Sequence, residues 1–344
     1  MSSFFRNKKI LITGHTGFVG SWMTLWLNML KAELIGFSLN PPSNPSHYEL
    51  LGLDKDIVDI RGDIRDKKVI SSTIKEHEPE IIFHLAAQPI LLRSYGSPIE
   101  TYMTNAIGTL NLLEALREED AVKAIINVTT DKVYENLGRK EPYKENDKLG
   151  GNDPYSSSKA CSELITKAYK ESFFAGTRVA TARAGNIIGG GDWGEKRIVT
   201  DIVNARMKKT KLIIRNPEAV RPWSNVLDII NGYLILCENL YRNPEEYSGA
   251  WNFSAGETKT VLDLVNEFSM HWNIECEIKR PEKKLEEELL LLDSGKSRTK
   301  LKWKPKMSFE ESVKQTALWF DSFFKDSNKM KTYSSDIVMD FIKK

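Results

Sequence analysis

Lys9-Ile10-Leu11-Ile12-Thr13 runs straight into Gly14-His15-Thr16-Gly17-Phe18-Val19-Gly20, and this stretch decides the fold. A short apolar run meets three glycines, after which residues 18–30 carry apolar side chains at helical spacing. A strand, a glycine turn and a helix together make a cradle for a pyrophosphate. Glycine lets phosphate approach the backbone, and the helix N-terminus offers positive partial charge. Working outward, Leu34-Ile35-Gly36-Phe37, Ile57-Val58-Asp59-Ile60, Ile81-Ile82-Phe83-His84-Leu85 and Ala124-Ile125-Ile126-Asn127-Val128 read as further strands. Helical stretches at 67–77 and 104–117 lie between some of them. Strands without polar alternation, separated by helices, predict an α/β fold with a doubly wound parallel sheet covered on both faces.

This Rossmann pattern occupies residues 1–185. From 186 to 325 it loosens into a smaller mixed α/β portion, expected to build much of the substrate pocket. Residues 225–241 and 261–272 read as helices there. Trp251-Asn252-Phe253 reads as a strand, so the chain has a means of crossing back to the first domain. Residues 326–344 are polar and weakly patterned, and are expected to form a loosely attached tail.

The bulk numbers fit a soluble enzyme. Of 344 residues, 41% are hydrophobic and 28% charged, and 49 basic against 47 acidic residues leave a net charge of +2. No basic run interleaved with aromatics marks a nucleic-acid surface. Three scattered cysteines without metal-ligand spacing indicate a reducing compartment and no metal site. Neither a signal-peptide core nor an apolar run of membrane-spanning length is visible, so the expected location is the cytoplasm.

Gly14, Thr16, Gly17, Phe18, Val19 and Gly20 are therefore the expected cofactor cradle. After the second strand, Asn40 stands where an acid would accept from the adenosine ribose. No Arg or Lys lies beside it in sequence to attract a 2′-phosphate, which favours NAD. Asp63 and Ile64 after the third strand are placed to touch adenine. Leu85, Ala86, Ala87 and Gln88 after the fourth run beside the ribose.

Tyr155-Ser156-Ser157-Ser158-Lys159 puts a phenol and an ammonium one helical turn apart, downstream of Thr129-Thr130. A phenol with a pKa of about 10 must come down by about three units to take a hydroxyl proton at neutral pH. A cation about 4 Å away supplies that at moderate dielectric, so Lys159 is expected to activate Tyr155, with Thr130 holding the same sugar oxygen. Asp131-Lys132 adds an acid and a base. Oxidation at C4 of a hexose acidifies C5. Removing the C5 proton and protonating O6 then expels water. We read Asp131 as the acid at O6 and Lys132 as the base at C5.

With these segments in place, the sequence resembles the extended short-chain dehydrogenase/reductase family and, within it, the CDP-glucose 4,6-dehydratases. The resemblance runs from about Arg6 to about Phe324. It includes the glycine segment and Ser21-Trp22, Thr129-Thr130-Asp131-Lys132-Val133-Tyr134-Glu135-Asn136 and Asp153-Pro154-Tyr155 through Lys159. It continues in Arg183-Ala184-Gly185-Asn186-Ile187-Ile188-Gly189-Gly190-Gly191-Asp192-Trp193, Ile214-Arg215-Asn216-Pro217 and Arg221-Pro222-Trp223-Ser224-Asn225-Val226-Leu227. It implies NAD as cofactor, with Asn105 and Thr129 among its contacts, and a nucleotide-sugar substrate. It implies substrate contacts at Gln88, Asn186, Arg197, Arg221 and Trp223, and a homodimer paired through the helices at 104–117 and 155–169. Arg forks suit phosphate oxygens and Trp can stack on a base. Val19 stands where similar enzymes often have Lys, and Asn40 where they often have Asp; both bear on cofactor affinity. A UDP- or GDP-sugar dehydratase and a UDP-hexose 4-epimerase remain the neighbouring readings, and a silent NAD-binding scaffold the distant one. Asp131-Lys132 argues against the epimerase, and the complete Thr130, Tyr155, Lys159 set against the scaffold.

Overall fold

The computed structural model describes residues 3–175, 178–280 and 289–344. Seven parallel strands form the main sheet: β1 (Lys9–Thr13), β2 (Glu33–Ser38), β3 (Val58–Arg61), β4 (Ile81–His84), β5 (Ala124–Val128), β6 (Val179–Ala184) and β7 (Gly249–Phe253). Their spatial order is β7-β6-β5-β4-β1-β2-β3. The order reverses between β1 and β4, which opens a crevice beyond the strands' C-terminal ends.

Residue alternation divides each strand between two cores. Ile10 and Ile12, Ile81 and Phe83, and Ala124 and Ile126 face one; Leu11, Ile82 and Ile125 face the other. Both faces are apolar because helices cover both. The helices α1 (Phe18–Met29), α2 (Lys67–His77), α3 (Gly108–Ala115) and α4 (Pro154–Phe173) come from the first half of the chain. The second half supplies α5 (Ile198–Lys208), α6 (Val226–Arg242), α7 (Val261–Ser269), α8 (Phe309–Lys325) and α9 (Met330–Lys343). The expected strand around Trp251 is β7, paired in register with β6 from Gly249↔Ala180 to Phe253↔Ala184. The second half thus completes the first half's sheet.

The C-terminal stretch corrects the sequence reading. Residues 326–344 are not a loose tail. Met330, Ser334, Val338 and Phe341 of α9 are buried. The Ser334 hydroxyl accepts from Trp319 Nε1 at 3.0 Å, and Phe341 meets Trp26 edge to face. Apolar positions at helical spacing, sparse enough to look polar in sequence, suffice to dock it.

The Ser21-Trp22 pair and the triple glycine belong to one packing clip. Trp22 Nε1 donates to the Gly190 carbonyl at 2.9 Å, and Ser21 Oγ meets His47 Nδ1 at 2.7 Å. A Cβ on Gly190 would stand 2.0 Å from Trp319 Cγ, and Gly191 adopts φ +80° against the His47 ring. Only glycine allows this approach. Overpacking of this kind costs about 1–3 kcal/mol, so Gly190→Ala is expected to lower the thermal midpoint by roughly 5 °C. An unchanged melting curve would show that the contact is dispensable.

Candidate active site

At the crevice, the glycine turn is built to leave room. Gly14 has φ +76°, and a Cβ there would sit 2.7 Å from the Ala86 nitrogen; on Gly20 it would sit 2.2 Å from the Gly14 oxygen. Gly17 is the N-cap of α1; no side chain caps that terminus and its first turn holds no acid. The uncapped amides of α1 therefore face the crevice with positive partial charge, a donor set matched to a pyrophosphate. These residues fit a dinucleotide. Thr16 Oγ1 instead closes the loop onto β2, meeting Ser38 Oγ at 2.8 Å and donating to the Leu39 carbonyl at 3.1 Å. Asn40 is exposed just beyond. Asp63 is held by Arg65, which depresses its pKa, and Ile64 is buried.

Several expected cofactor and substrate contacts are turned inward. Gln88 Nε2 donates to Thr101 Oγ1 at 2.9 Å, and its Oε1 accepts from the Ile90 amide at 2.7 Å. Both ends of its side-chain amide are thereby bonded within this segment. Asn105 locks the same loop from below, with bonds to the Gln88 backbone and to Ser158 Oγ. The Thr129 hydroxyl is likewise taken, donating to Glu163 Oε1 at 2.5 Å.

Helix α4 positions the phenol and ammonium. Asp153 caps it by accepting from the Ser156 amide at 2.9 Å, and Pro154 stands at its first position. Tyr155, Lys159 and Glu163 then follow at one-turn intervals and are all buried. Lys159 Nζ donates to the Val128 carbonyl at 3.1 Å. Burial brings its pKa down to about 8, against the raising influence of Glu163. Glu163 in turn forms a buried pair with Arg183, Nε to Oε1 at 2.8 Å and Nη2 to Oε2 at 2.9 Å, and accepts from Thr181. Such a pair fixes helix against strand more than it stabilises them.

At the Tyr155 phenol the protein's own groups act in opposite directions. Burial dominates and carries the phenol up to about 12; a hydrogen bond with Thr130 and the charge of Arg197 pull the other way. The Lys159 ammonium is itself desolvated and tied to β5. Beneath it lies His84, pushed down to about 3 by burial and by Lys159. The neutral ring bridges Thr13 and Thr109, Nδ1 at 2.7 Å and Nε2 at 3.1 Å.

Asp131 is buried at the end of β5, and its Oδ1 accepts from Thr130 at 2.9 Å. Gly185 is clasped between Asp131 and Pro222: a Cβ there would stand 3.3 Å from Asp131 Oδ2 and 2.7 Å from Pro222 Cγ. Asn186 and Arg221 flank that clasp, and the Asn186 carbonyl accepts from the Ser224 amide at 2.9 Å. The catalytic and substrate segments are thereby brought together. Lys132 is half-buried beside Asp131. Arg197 stands just before the first turn of α5 and is steadied by buried Asp192, Nη1 to Oδ2 at 2.9 Å. Trp223 departs from expectation. Its ring packs in the main core and Nε1 donates to the Lys259 carbonyl at 3.1 Å, so only a margin of the residue lines the pocket it shares with Ala255, Arg298 and Phe309.

A family model described as GDP-mannose 4,6 dehydratase matches residues 11–316. The CDP-glucose 4,6-dehydratase of Salmonella typhimurium is 37% identical over 339 residues, covering 95% of this chain and 94% of that one. The chain belongs to this family of nucleotide-sugar 4,6-dehydratases. A dTDP-glucose 4,6-dehydratase of Haemophilus influenzae is 28% identical over 90% of this chain and 97% of its own. Among solved structures, the UDP-glucose 4-epimerase of Thermotoga maritima is 26% identical with a TM-score of 0.79, covering 92% of this chain and 99% of that one. The Bacillus anthracis dTDP-glucose 4,6-dehydratase, solved with NAD, shares the fold at 23% identity and a TM-score of 0.79, covering 92% and 97%. Dehydratases and epimerases of this fold thus overlie closely.

Proposed function

We propose that this protein converts CDP-glucose to CDP-4-keto-6-deoxyglucose with NAD as cofactor. The observation that carries this reading is the meeting of Thr130, Asp131 and Tyr155 at one end of β5, with Asp131 clasped against the Asn186 and Arg221 segment. The 37% identical Salmonella relative supports cytosine as the base. Held in the cradle of Gly14, Gly17 and Gly20, NAD would supply the hydride acceptor for C4 and the hydride donor for C6. Thr130 and Tyr155 hold O4, and Tyr155 takes its proton. Neutral Lys132 removes the C5 proton and returns a proton to C5 as hydride reaches C6, and protonated Asp131 gives its proton to O6 as the C6–O6 bond breaks and water leaves. Asn186 and Arg221 bind the diphosphate, with Arg197 held ready by Asp192. The test is to incubate the purified protein with CDP-glucose and catalytic NAD. Loss of one water from the sugar nucleotide, read by mass spectrometry, is expected. An unchanged mass with CDP-glucose but water loss from a UDP-, dTDP- or GDP-sugar would overturn the choice of base. Isomerisation without mass loss would install the epimerase instead.

We further propose that two copies pair through the α4 side of the molecule. Exposed apolar residues gather on that side's segments: Ile99 is 79% exposed, Leu164 55% and Phe173 47%. Aliphatic and aromatic surface of this kind is usual at subunit contacts. Leu164→Glu is expected to convert the dimer to monomer in sedimentation velocity; an unaltered dimer would place the contact elsewhere. Among the described residues no helix is long and apolar enough to cross a membrane.

A further inference from the structure

A dehydration that passes through a 4-keto sugar asks two sets of side chains to meet one ring. Tyr155 and Lys159 come from helix α4, and Asp131 and Lys132 from the short turn Asp131–Val133 after β5. Behind the site, a buried side chain bonds to both segments. Arg183 reaches from β6 with Nε to Glu163 Oε1 at 2.8 Å and Nη2 to Oε2 at 2.9 Å. Glu163 stands one turn beyond Lys159 on α4. The third nitrogen of the same guanidinium, Nη1, donates to the Tyr134 hydroxyl at 2.8 Å and to the Glu145 carbonyl at 3.0 Å. Tyr134 directly follows the Asp131–Val133 turn. Four of the five N–H groups of Arg183 are therefore committed, two toward the helix and two toward the segment that carries the turn.

Building on the proposed dehydration, we infer that Arg183 is a positioning residue that holds the elimination pair, Asp131 and Lys132, in register with the oxidation pair, Tyr155 and Lys159. Both ends of the link are anchored. Glu163 Oε1 also accepts from Thr129 at 2.5 Å, and Oε2 from Thr181 at 2.7 Å. The Tyr134 hydroxyl donates in turn to Asn252 Oδ1 at 2.7 Å, and Asn252 lies opposite Arg183 in the pairing of β6 with β7. The Tyr134 ring stacks on Tyr143 with centroids 5.1 Å apart, and the Arg183 guanidinium lies 4.9 Å from its centre. Arg183, Glu163, Tyr134 and Asn252 are all buried, so none of these bonds is readily exchanged for one to water. A buried ion pair is a poor source of net stability. What the planar fork supplies is orientation, which a lysine's point charge cannot. Misplacing reacting groups by about 1 Å costs about a hundredfold in rate, so a link between the two pairs has a direct kinetic consequence.

Arg183→Met would strand the Glu163 charge in the core, so the test uses two milder variants, each removing one hydroxyl from one end of the link. Tyr134→Phe keeps the ring and releases the turn's end; Thr181→Val keeps the side chain's shape and loosens Glu163. Each protein, loaded with NAD and in excess over CDP-glucose, is followed through a single turnover, which separates chemistry from product release. Absorbance of reduced nicotinamide reports oxidation at C4, and mass spectrometry of quenched samples reports loss of water. Tyr134→Phe is expected to oxidise within about threefold of wild type but to lose water at least about tenfold more slowly, so that reduced nicotinamide accumulates. Thr181→Val is expected to slow oxidation by about fivefold or more, as loss of a bond to a buried carboxylate would, with water loss keeping pace and no accumulation. Melting curves check that the fold is kept, and each variant tests the link alone if the other does not fold. Equal slowing of both steps, or neither step slowed, would overturn the role of Arg183 and leave the dehydratase reading intact. Wild-type protein that removes no water from CDP-glucose would overturn both together.

Discussion

Tyr155→Phe is expected to reduce turnover of CDP-glucose by about a thousandfold, within the range of lost general-base catalysis, while leaving the melting curve close to wild type. The phenol's position is set by atoms other than its hydroxyl. Asp153 caps the helix that carries it, and the backbone oxygen of Tyr155 accepts from Ser158. Removing one oxygen leaves that scaffold whole, so the loss falls on chemistry. Because burial holds the Tyr155 phenol at about 12, the reaction should quicken as pH rises toward alkaline values. It should then fail as Lys159, at about 8, gives up the charge that helps ionise its neighbour. Lys159→Met should therefore flatten the pH profile as well as lower it. A Tyr155→Phe protein within tenfold of wild type would remove Tyr155 from the proton-transfer role.

The second large effect separates oxidation from elimination. Asp131→Asn keeps the shape and an acceptor for Thr130 Oγ1, but it cannot deliver a proton to O6. Loss of water is expected to slow by about a hundredfold or more. Exchange of the C5 hydrogen with solvent, which precedes departure of O6, should persist. Lys132→Ala should do the opposite and abolish the exchange itself. Solvent-deuterium incorporation at C5, followed by NMR beside product formation, distinguishes the two. If Lys132→Ala exchanges at the wild-type rate, Lys132 is not the base; if Asp131→Asn dehydrates normally, O6 takes its proton from another group.

How much of this was visible in the chain depends on whether the signal is local. The sheet was legible because each buried strand is a near-continuous apolar run, and Gly14, Gly17 and Gly20 mark the first junction without help from distant residues. Tyr155 and Lys159 were legible because one helical turn is a sequence interval. What escaped depends on contacts across elements. Glu163 and Arg183 are 20 positions apart and become partners only when α4 lies on β6. His47 acquires meaning only from Ser21 and Gly191. Arg61 reaches the Leu39 carbonyl, 22 positions away, only through the register of β2 and β3. Trp223 invites a base-stacking reading as an aromatic close to an arginine, yet its packing in the core and its bond to the Lys259 carbonyl come from a segment 36 positions away. Residues 326–344 were misjudged since Met330, Ser334, Val338 and Phe341 are widely spaced among charged residues and Ser334 is polar, though together they line one face.

On the proposed route, hydrogen leaves C4 and returns to C6 of the same sugar while water departs between. CDP-glucose carrying deuterium at C4 tests it in one reaction, with the product examined by NMR and mass spectrometry. The expected product is a sugar nucleotide lighter by one water, with the deuterium in its 6-methyl group and no accumulation of reduced cofactor. Deuterium restored to C4 in a product that has lost no water would contradict it and identify an epimerase.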